Sequence, residues 1–305
     1  MPNMCDILKR EFSWSNFQLS HQYKTDFYTS QWRWHPYIFL IFRAVTAAYT
    51  IASLSAVFAE GGGSHNIMVY LTIWTYLTLT LHFLSAAILA FVCHCTSCGD
   101  DHTNSIVLTQ VKSEPIKAVN VSFQNDNGRQ MSNGNISTGN STTANEESGN
   151  TSLAESNKSL PWYFQTCWLV SIVAHHFTLV VTIVYFTALF PFMGIQGIAV
   201  NDINMHGIST VLVLIDVAVS ARPVRLLHVI YPIAYGVAYA TFSVIYWSRD
   251  TVHNVVYDIM DWNNPWLAAG VVIGLALVVV PLIQLFHFGL YRLRLSLYDR
   301  IYNTK

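Results

Sequence analysis

The sequence predicts an all-α integral membrane protein, a bundle of six transmembrane helices with both termini cytoplasmic. Three observations predict it. The 305 residues are 52% hydrophobic and only 11% charged, with a mean hydropathy of +0.36, whereas soluble domains carry about 25% charged residues. Six apolar runs each approach the ~20 residues needed to cross a bilayer core. Lysine and arginine gather on one side of those runs, as they do in cytoplasmic segments. The net charge of -1 leaves no broadly basic surface, so nucleic acid is not an expected partner.

Residues 1–36 read as a cytoplasmic N-terminal segment. It has no apolar core of the kind a cleavable signal needs, and it ends in Gln31-Trp32-Arg33-Trp34-His35-Pro36. Two tryptophans and a proline ahead of an apolar run make an interfacial anchor. Residues 37–95 hold transmembrane helices one and two, about Tyr37 to Ala59 and Met68 to Cys93, joined by a tight polar turn at Glu60 to Ser64. Arg43, two turns into helix one, is expected to snorkel to the near interface. Residues 96–160 are rich in Ser, Asn, Thr and Gly, cannot bury enough apolar area to fold, and read as a disordered cytoplasmic loop. Residues 161–291 hold helices three to six: Trp162 to Phe190, Asn204 to Ser220, Leu226 to Trp247 and Pro265 to Tyr291. Helix four is the shortest, short enough to be tilted or partly re-entrant. Residues 292–305 form a basic cytoplasmic tail.

The charge count sets the orientation. With the N-terminus inside, that side collects Lys9, Arg10, Lys24, Arg33, Lys112, Lys117, Arg129, Lys158, Arg222, Arg225, Arg292, Arg294, Arg300 and Lys305. The opposite side keeps Arg249. The same orientation places the N-x-Ser/Thr matches at Asn120, Asn135, Asn140, Asn150 and Asn157 in the cytoplasm, where they would not be glycosylated. A glycosylated loop would invert the topology.

Polar groups at membrane depth are expensive and therefore informative. Cys93, Cys95 and Cys98 crowd where helix two leaves the membrane. A tetrahedral zinc site would need a second separated pair, so palmitoylation is the better reading. His82, His175 and His176 lie near mid-depth. They could ligate a metal, but no carboxylate is expected beside them at that depth, so neither metal nor cofactor is expected. Asp216 is placed toward the inner face, pairing with Arg222, Arg225 or His228 to hold helices four and five together. His206 opens helix four at the outer face, and Thr72 lies one turn below that face in helix two. A hydroxyl and an imidazole at matching depth are the minimal nucleophile–base pair, and histidine titrates in the right range for that work. The competing reading has Thr72 bonded to its own helix carbonyls, and on depth alone that reading is preferred.

Two resemblances enter at these residues. Gln31-Trp32, Tyr70-Leu71-Thr72-Ile73-Trp74, His206-Gly207, Arg222-Pro223-Val224-Arg225-Leu226-Leu227-His228, Tyr231-Pro232, Tyr246-Trp247, Asp261-Trp262 and Pro265 occur in an order that resembles the rolling stone family of multipass membrane proteins. The long Asn/Ser/Thr loop looks like an insertion. That resemblance implies a role in cell–cell (myoblast) fusion or muscle development, at the plasma membrane rather than the endoplasmic reticulum. More remotely, Tyr70-Leu71-Thr72 with Asn204-Met205-His206 is similar to the androgen-induced and androgen-dependent transmembrane hydrolases. This would make Thr72 the nucleophile and His206 the base in cleaving fatty acid esters of hydroxy fatty acids. The match is short, and the rest of the chain departs from that family. Membrane lipid is the expected partner on either reading, a lipid ester substrate on the second and an unidentified protein on the first.

Overall fold

A bilayer reverses the amphipathic rule of soluble helices, and the first long helix obeys the reversed rule. In α1 (Pro36–Glu60) the buried face carries Phe39, Arg43, Thr46, Ala47, Thr50 and Ser53. Ile38, Ile41, Val45 and Ile51 point outward. Buried positions recur every three or four residues, the spacing of one helical face, but the polar groups are inside and the aliphatic ones outside. That pattern suits a lipid-facing helix.

The computed structural model describes residues 9, 11–60, 65–97, 160–190 and 200–302. The sequon loop, Cys98 and the turn at 61–64 lie outside the described residues. Among those described, the protein is all-helical and has no β-strands. Five helices are long and apolar enough to cross a membrane. They are α1, α2 (Leu71–Ser97), α3 (Trp162–Ala188), α5 (Leu226–Trp247) and α6 (Pro265–Tyr302). A sixth apolar helix, α4 (Ile203–Val219), is shorter, about 25 Å at 1.5 Å per residue. The helix expected to end at Tyr291 runs on to Tyr302, so Arg292, Arg294 and Arg300 are helical.

Two cores meet at α3. Ala47, Tyr76, Leu79, Phe83, Ala174 and Val213 join α1, α2, α3 and α4. Val173, Phe177, Val180, Val280 and Ile283 bring α6 against α3, with Ile233 and Tyr235 of α5 packed on them. Both cores are sealed by aromatic and branched side chains in direct contact. Three helices contain a π-helical turn, at Tyr185–Leu189, Ile203–Ile208 and Leu275–Val279. Such wide turns re-aim side chains and recur at functional sites.

The N-terminal segment is built into one end of the bundle. Phe27 is 2% exposed and packs with Phe164 and Trp168. The backbone of residues 29–31 pairs with the chain leaving α4: Gln31 N–H donates to Val219 O at 2.9 Å and Ala221 N–H to Thr29 O at 3.2 Å. Trp32 Nε1 donates to Ala218 O at 2.9 Å. A helix end has four carbonyls without helical partners, and here the N-terminal segment supplies donors for two of them. The last turn of α4 is therefore covered by protein.

Candidate functional site

Two polar sites lie at opposite ends of α4. The first is an apolar cavity of about 100 Å³, partly open to the outside of the bundle. Phe177, Val180, Val184, Ile233, Val272 and Leu275 form much of its wall, and Thr72, Tyr185, His206, Tyr239 and Tyr257 supply its polar points. Two of the π-helical turns build its rim. Tyr185 opens one and His206 lies within the other, and their rings stack with centroids 4.0 Å apart at 10°. His206 is 4% exposed, and its Nδ1 has no hydrogen-bond partner. Its carbonyl accepts Thr182 Oγ1 at 2.9 Å and Thr210 Oγ1 at 2.8 Å, which pins the backbone. Asp202 lies within reach of Tyr185 and His206.

Thr72 also lines the cavity, in the first turn of α2. The Tyr257 hydroxyl accepts the Leu71 N–H at 3.0 Å and also engages the Thr72 side chain. Tyr239 caps the same helix start, donating to Val69 O at 2.8 Å. Thr72 and His206 thus face one cavity, and no hydrogen bond joins them directly.

The second site is a buried charge cluster around Asp216, which is fully buried. Its Oδ1 accepts Arg43 Nη1. Its Oδ2 accepts Arg222 Nη2 at 2.6 Å and lies 3.0 Å from His82 Nε2 and 3.1 Å from His175 Nε2. Four groups from α1, α2, α3 and the segment after α4 therefore converge on one carboxylate, which has about four lone-pair sites. The rest of the Arg43 guanidinium lies over aromatic rings, 4.7 Å from Phe39 and 5.7 Å from Phe42, a cation–π arrangement.

Two sequence expectations change here. Arg43 does not snorkel; it is 0% exposed because its partner lies inside the bundle. A carboxylate does accompany the mid-depth histidines, since Asp216 meets His82 and His175. Among the three alternative partners expected for Asp216, Arg222 is the one in contact. Arg225 turns away to Asn16 Oδ1 and to Ser20 O at 3.3 Å, and His228 packs on Trp168 with ring centroids 4.8 Å apart.

The cluster also bears on metal chemistry. His82 Nε2, His175 Nε2 and Asp216 Oδ2 lie 3.0, 3.1 and 3.3 Å from one another, close enough to share an ion. Both carboxylate oxygens already accept guanidinium groups, however. A divalent cation would add charge to a buried site where cations outnumber the anion, which low-dielectric surroundings penalise. The donor set fits a carboxylate held by cations better than it fits a metal. His176, the third mid-depth histidine, is elsewhere: its Nδ1 meets Ile172 O at 2.7 Å and its ring packs on His287. Cys93 is half-buried and Cys95 exposed at the end of α2.

Apolar helices of spanning length, lipid-facing aliphatic faces and polar groups turned inward define a multipass integral membrane protein. A family model described as protein rolling stone matches residues 134–304, more than half of the chain, and the protein belongs to that family. It is similar to the curated protein rolling stone of Drosophila melanogaster, with 30% identity over 164 residues, 52% of this chain and 56% of the relative. The match thus spans about half the length of that relative. No solved structure matches. The matched stretch contains His206, Asp216 and Arg222, while Thr72, Arg43 and His82 precede it.

Proposed function

We propose that this protein acts in the membrane by binding a lipid in the cavity at His206, and that this binding underlies a rolling-stone-type role in cell–cell (myoblast) fusion or muscle development. One observation carries the reading: an apolar, partly open cavity holds a few convergent polar groups, the usual form of a site for a small apolar ligand. An acyl chain suits the aliphatic wall, and Thr72, Tyr257 and His206 suit an ester or hydroxyl. α4 completes a bundle of six spans in this reading, both termini are cytoplasmic, and the plasma membrane is the location. Cys93, Cys95 and Cys98 are proposed acylation sites on the inner face.

A second reading is favoured by the same cavity. Thr72 and His206 come from distant parts of the chain and face one space, so a lipid ester between them could meet a hydroxyl nucleophile and an imidazole base. In that reaction the Thr72 oxygen attacks the ester carbonyl, His206 takes the hydroxyl proton, and the alcohol leaves with that proton. Water then hydrolyses the acyl-threonine. Labelling of the purified protein in lipid with a fluorophosphonate probe tests it. Labelling of the wild type that is lost in Thr72→Ala and in His206→Ala, with folding intact, supports the hydrolase. No labelling beside a labelled positive control leaves lipid binding without hydrolysis. That binding is then measured with a fluorescent fatty acid ester, and wild-type retention no greater than that of His206→Trp, which fills the cavity, would refute it.

A further inference from the structure

A second cavity, of about 40 Å³, lies between α3, α6 and the segment that leaves α4. It is separate from the apolar cavity, and its chemistry is the opposite. Three guanidinium groups border it, from Arg222, Arg225 and Arg294, against the single carboxylate of Asp216. That carboxylate is already occupied by Arg43, Arg222, His82 and His175. Arg294 feels Asp216 and Asp26 at longer range and spends its hydrogen bonds on the backbone. Its Nη atoms donate to backbone carbonyls, Nη1 to Val217 O at 2.7 Å and Nη2 to Arg222 O at 2.9 Å. A net positive charge therefore borders a partly open space, and the buried part of that charge is costly unless something answers it.

The free hydrogen-bonding capacity around that space points the same way. Arg294 Nε and Arg225 Nε are buried with no acceptor, and both ring nitrogens of His287 are without a partner. His287 is 2% exposed and Arg294 3%. Guanidinium nitrogens only donate, and a histidine ring always offers at least one N–H. Against these donors stand Gln284 Oε1, whose amide nitrogen is bound to Arg225 O at 2.8 Å, and one acceptor nitrogen on each neutral ring of His228 and His287; the acceptors are neutral, whereas the guanidinium groups are charged. A donor-rich, positively charged hole suits an oxyanion. One water needs roughly 10–15 Å³ on this measure, so the space takes roughly three or four water-sized groups, the bulk of one phosphate.

We propose that this cavity binds a phosphate-type oxyanion at the basic end of the bundle, from an anionic phospholipid headgroup or from free phosphate. Arginine forks match the oxygen pairs of such a group. Basic pockets between transmembrane helices on a cytoplasmic face are known to take anionic headgroups. Arg225 also ties the site to the N-terminal segment through Asn16 and Ser20, so an occupant would brace that segment against the bundle.

The test uses the full chain in nanodiscs of phosphatidylcholine, alone or with phosphatidic acid, and reads bound lipid by native mass spectrometry and unfolding by tryptophan fluorescence. Phosphatidic acid is expected to bind the wild type at one saturable site and raise its unfolding temperature. Binding should fall about tenfold or more in Arg225→Gln and in His287→Gln. Arg300→Gln, an exposed charge on the same helix as Arg294, should bind like the wild type. If inorganic phosphate protects the wild type in phosphatidylcholine discs and phosphatidic acid does not, the site stands and its source is soluble phosphate. Equal responses of wild type, Arg225→Gln and His287→Gln to both probes would overturn the proposal and leave a water-filled cavity. A loss in Arg300→Gln as large as in Arg225→Gln would also overturn it, as diffuse surface attraction. Should both site variants fail to fold, the wild type decides: displacement of bound phosphatidic acid by inorganic phosphate supports one site, and non-saturating binding refutes it.

Discussion

The two ends of α4 handle polarity in contrasting ways. At Asp216 every carboxylate oxygen is engaged, the side chain is fully buried, and the four partners come from three other helices and the following loop. At His206 the backbone is fastened, while ring Nδ1 is left without a partner beside an open apolar space. A closed polar cluster ties helices together and leaves no carboxylate oxygen free for a ligand. A polar group kept spare next to a cavity contributes little to architecture and is available for binding. The difference separates a structural site from a ligand site within one short helix.

The contrast can be broken experimentally, most severely at the closed end. Asp216→Ala leaves two guanidinium groups buried without their anion, and breaking a buried pair this way costs about 3–5 kcal/mol. The expected outcome is loss of a monodisperse peak on size exclusion and a collapse of the unfolding temperature. Arg43→Met should cost less, about 1.5–3 kcal/mol, the range for a hydrogen bond to a charged group, because Asp216 keeps Arg222 and both histidines. A stability like that of the wild type in Asp216→Ala would mean that the cluster is not structural.

At the open end the order reverses. His206→Phe keeps a ring against Tyr185, so stability should fall by less than about 1.5 kcal/mol, while retention of a fluorescent lipid ester should drop several-fold. Loss of folding without a specific loss of lipid would erase the distinction between the two ends. The smallest effect is expected outside the membrane, at Asp250. There the His253 N–H, the His253 ring and the Val252 N–H hold the carboxyl below its ordinary value, at 3.1, 2.9 and 3.0 Å. A depressed carboxyl contributes stability above its unfolded value of 3.8, and that contribution is lost as pH falls through the lower folded value. Asp250→Asn should therefore flatten the acid limb of the unfolding curve slightly below about pH 4 and leave both α4 sites unchanged.

Much of this architecture is legible in the residues. Apolar runs bounded by Pro36, Pro265 and polar turns mark the long helices, because length and composition decide whether a segment can span a bilayer. Thr72 and His206 could be paired by depth. Their common cavity could not be read, because it depends on helix rotation and on two π-helical turns that carry no sequence signature here. The Asp216 cluster was hidden for a different reason. Counting residues places Asp216 near a membrane face, but the N-terminal segment covers the last turn of α4 and turns that face into interior. Arg43 is ambiguous for the same reason, since a cation two turns into a helix can either snorkel or pair, and only the location of Asp216 decides. The signal available was arithmetic: α1 carries one intramembrane cation and α4 one intramembrane anion.

The pairing of Arg43 with Asp216 also has a temporal side. The two residues are 173 positions apart in the chain, and synthesis at roughly 5–20 residues per second separates them by roughly 10–35 s. Throughout that interval the first helix exists with a charge whose partner has not been made. A lone arginine at the centre of a spanning helix costs about 2.5–3.5 kcal/mol at insertion; Arg43 lies two turns into α1, so nascent α1 carries part of that cost unanswered. The buried pairing of Arg43 can form only once α4 is in place. Biogenesis of this protein is thus a delayed closure, in which the earliest helix is secured by one of the later ones.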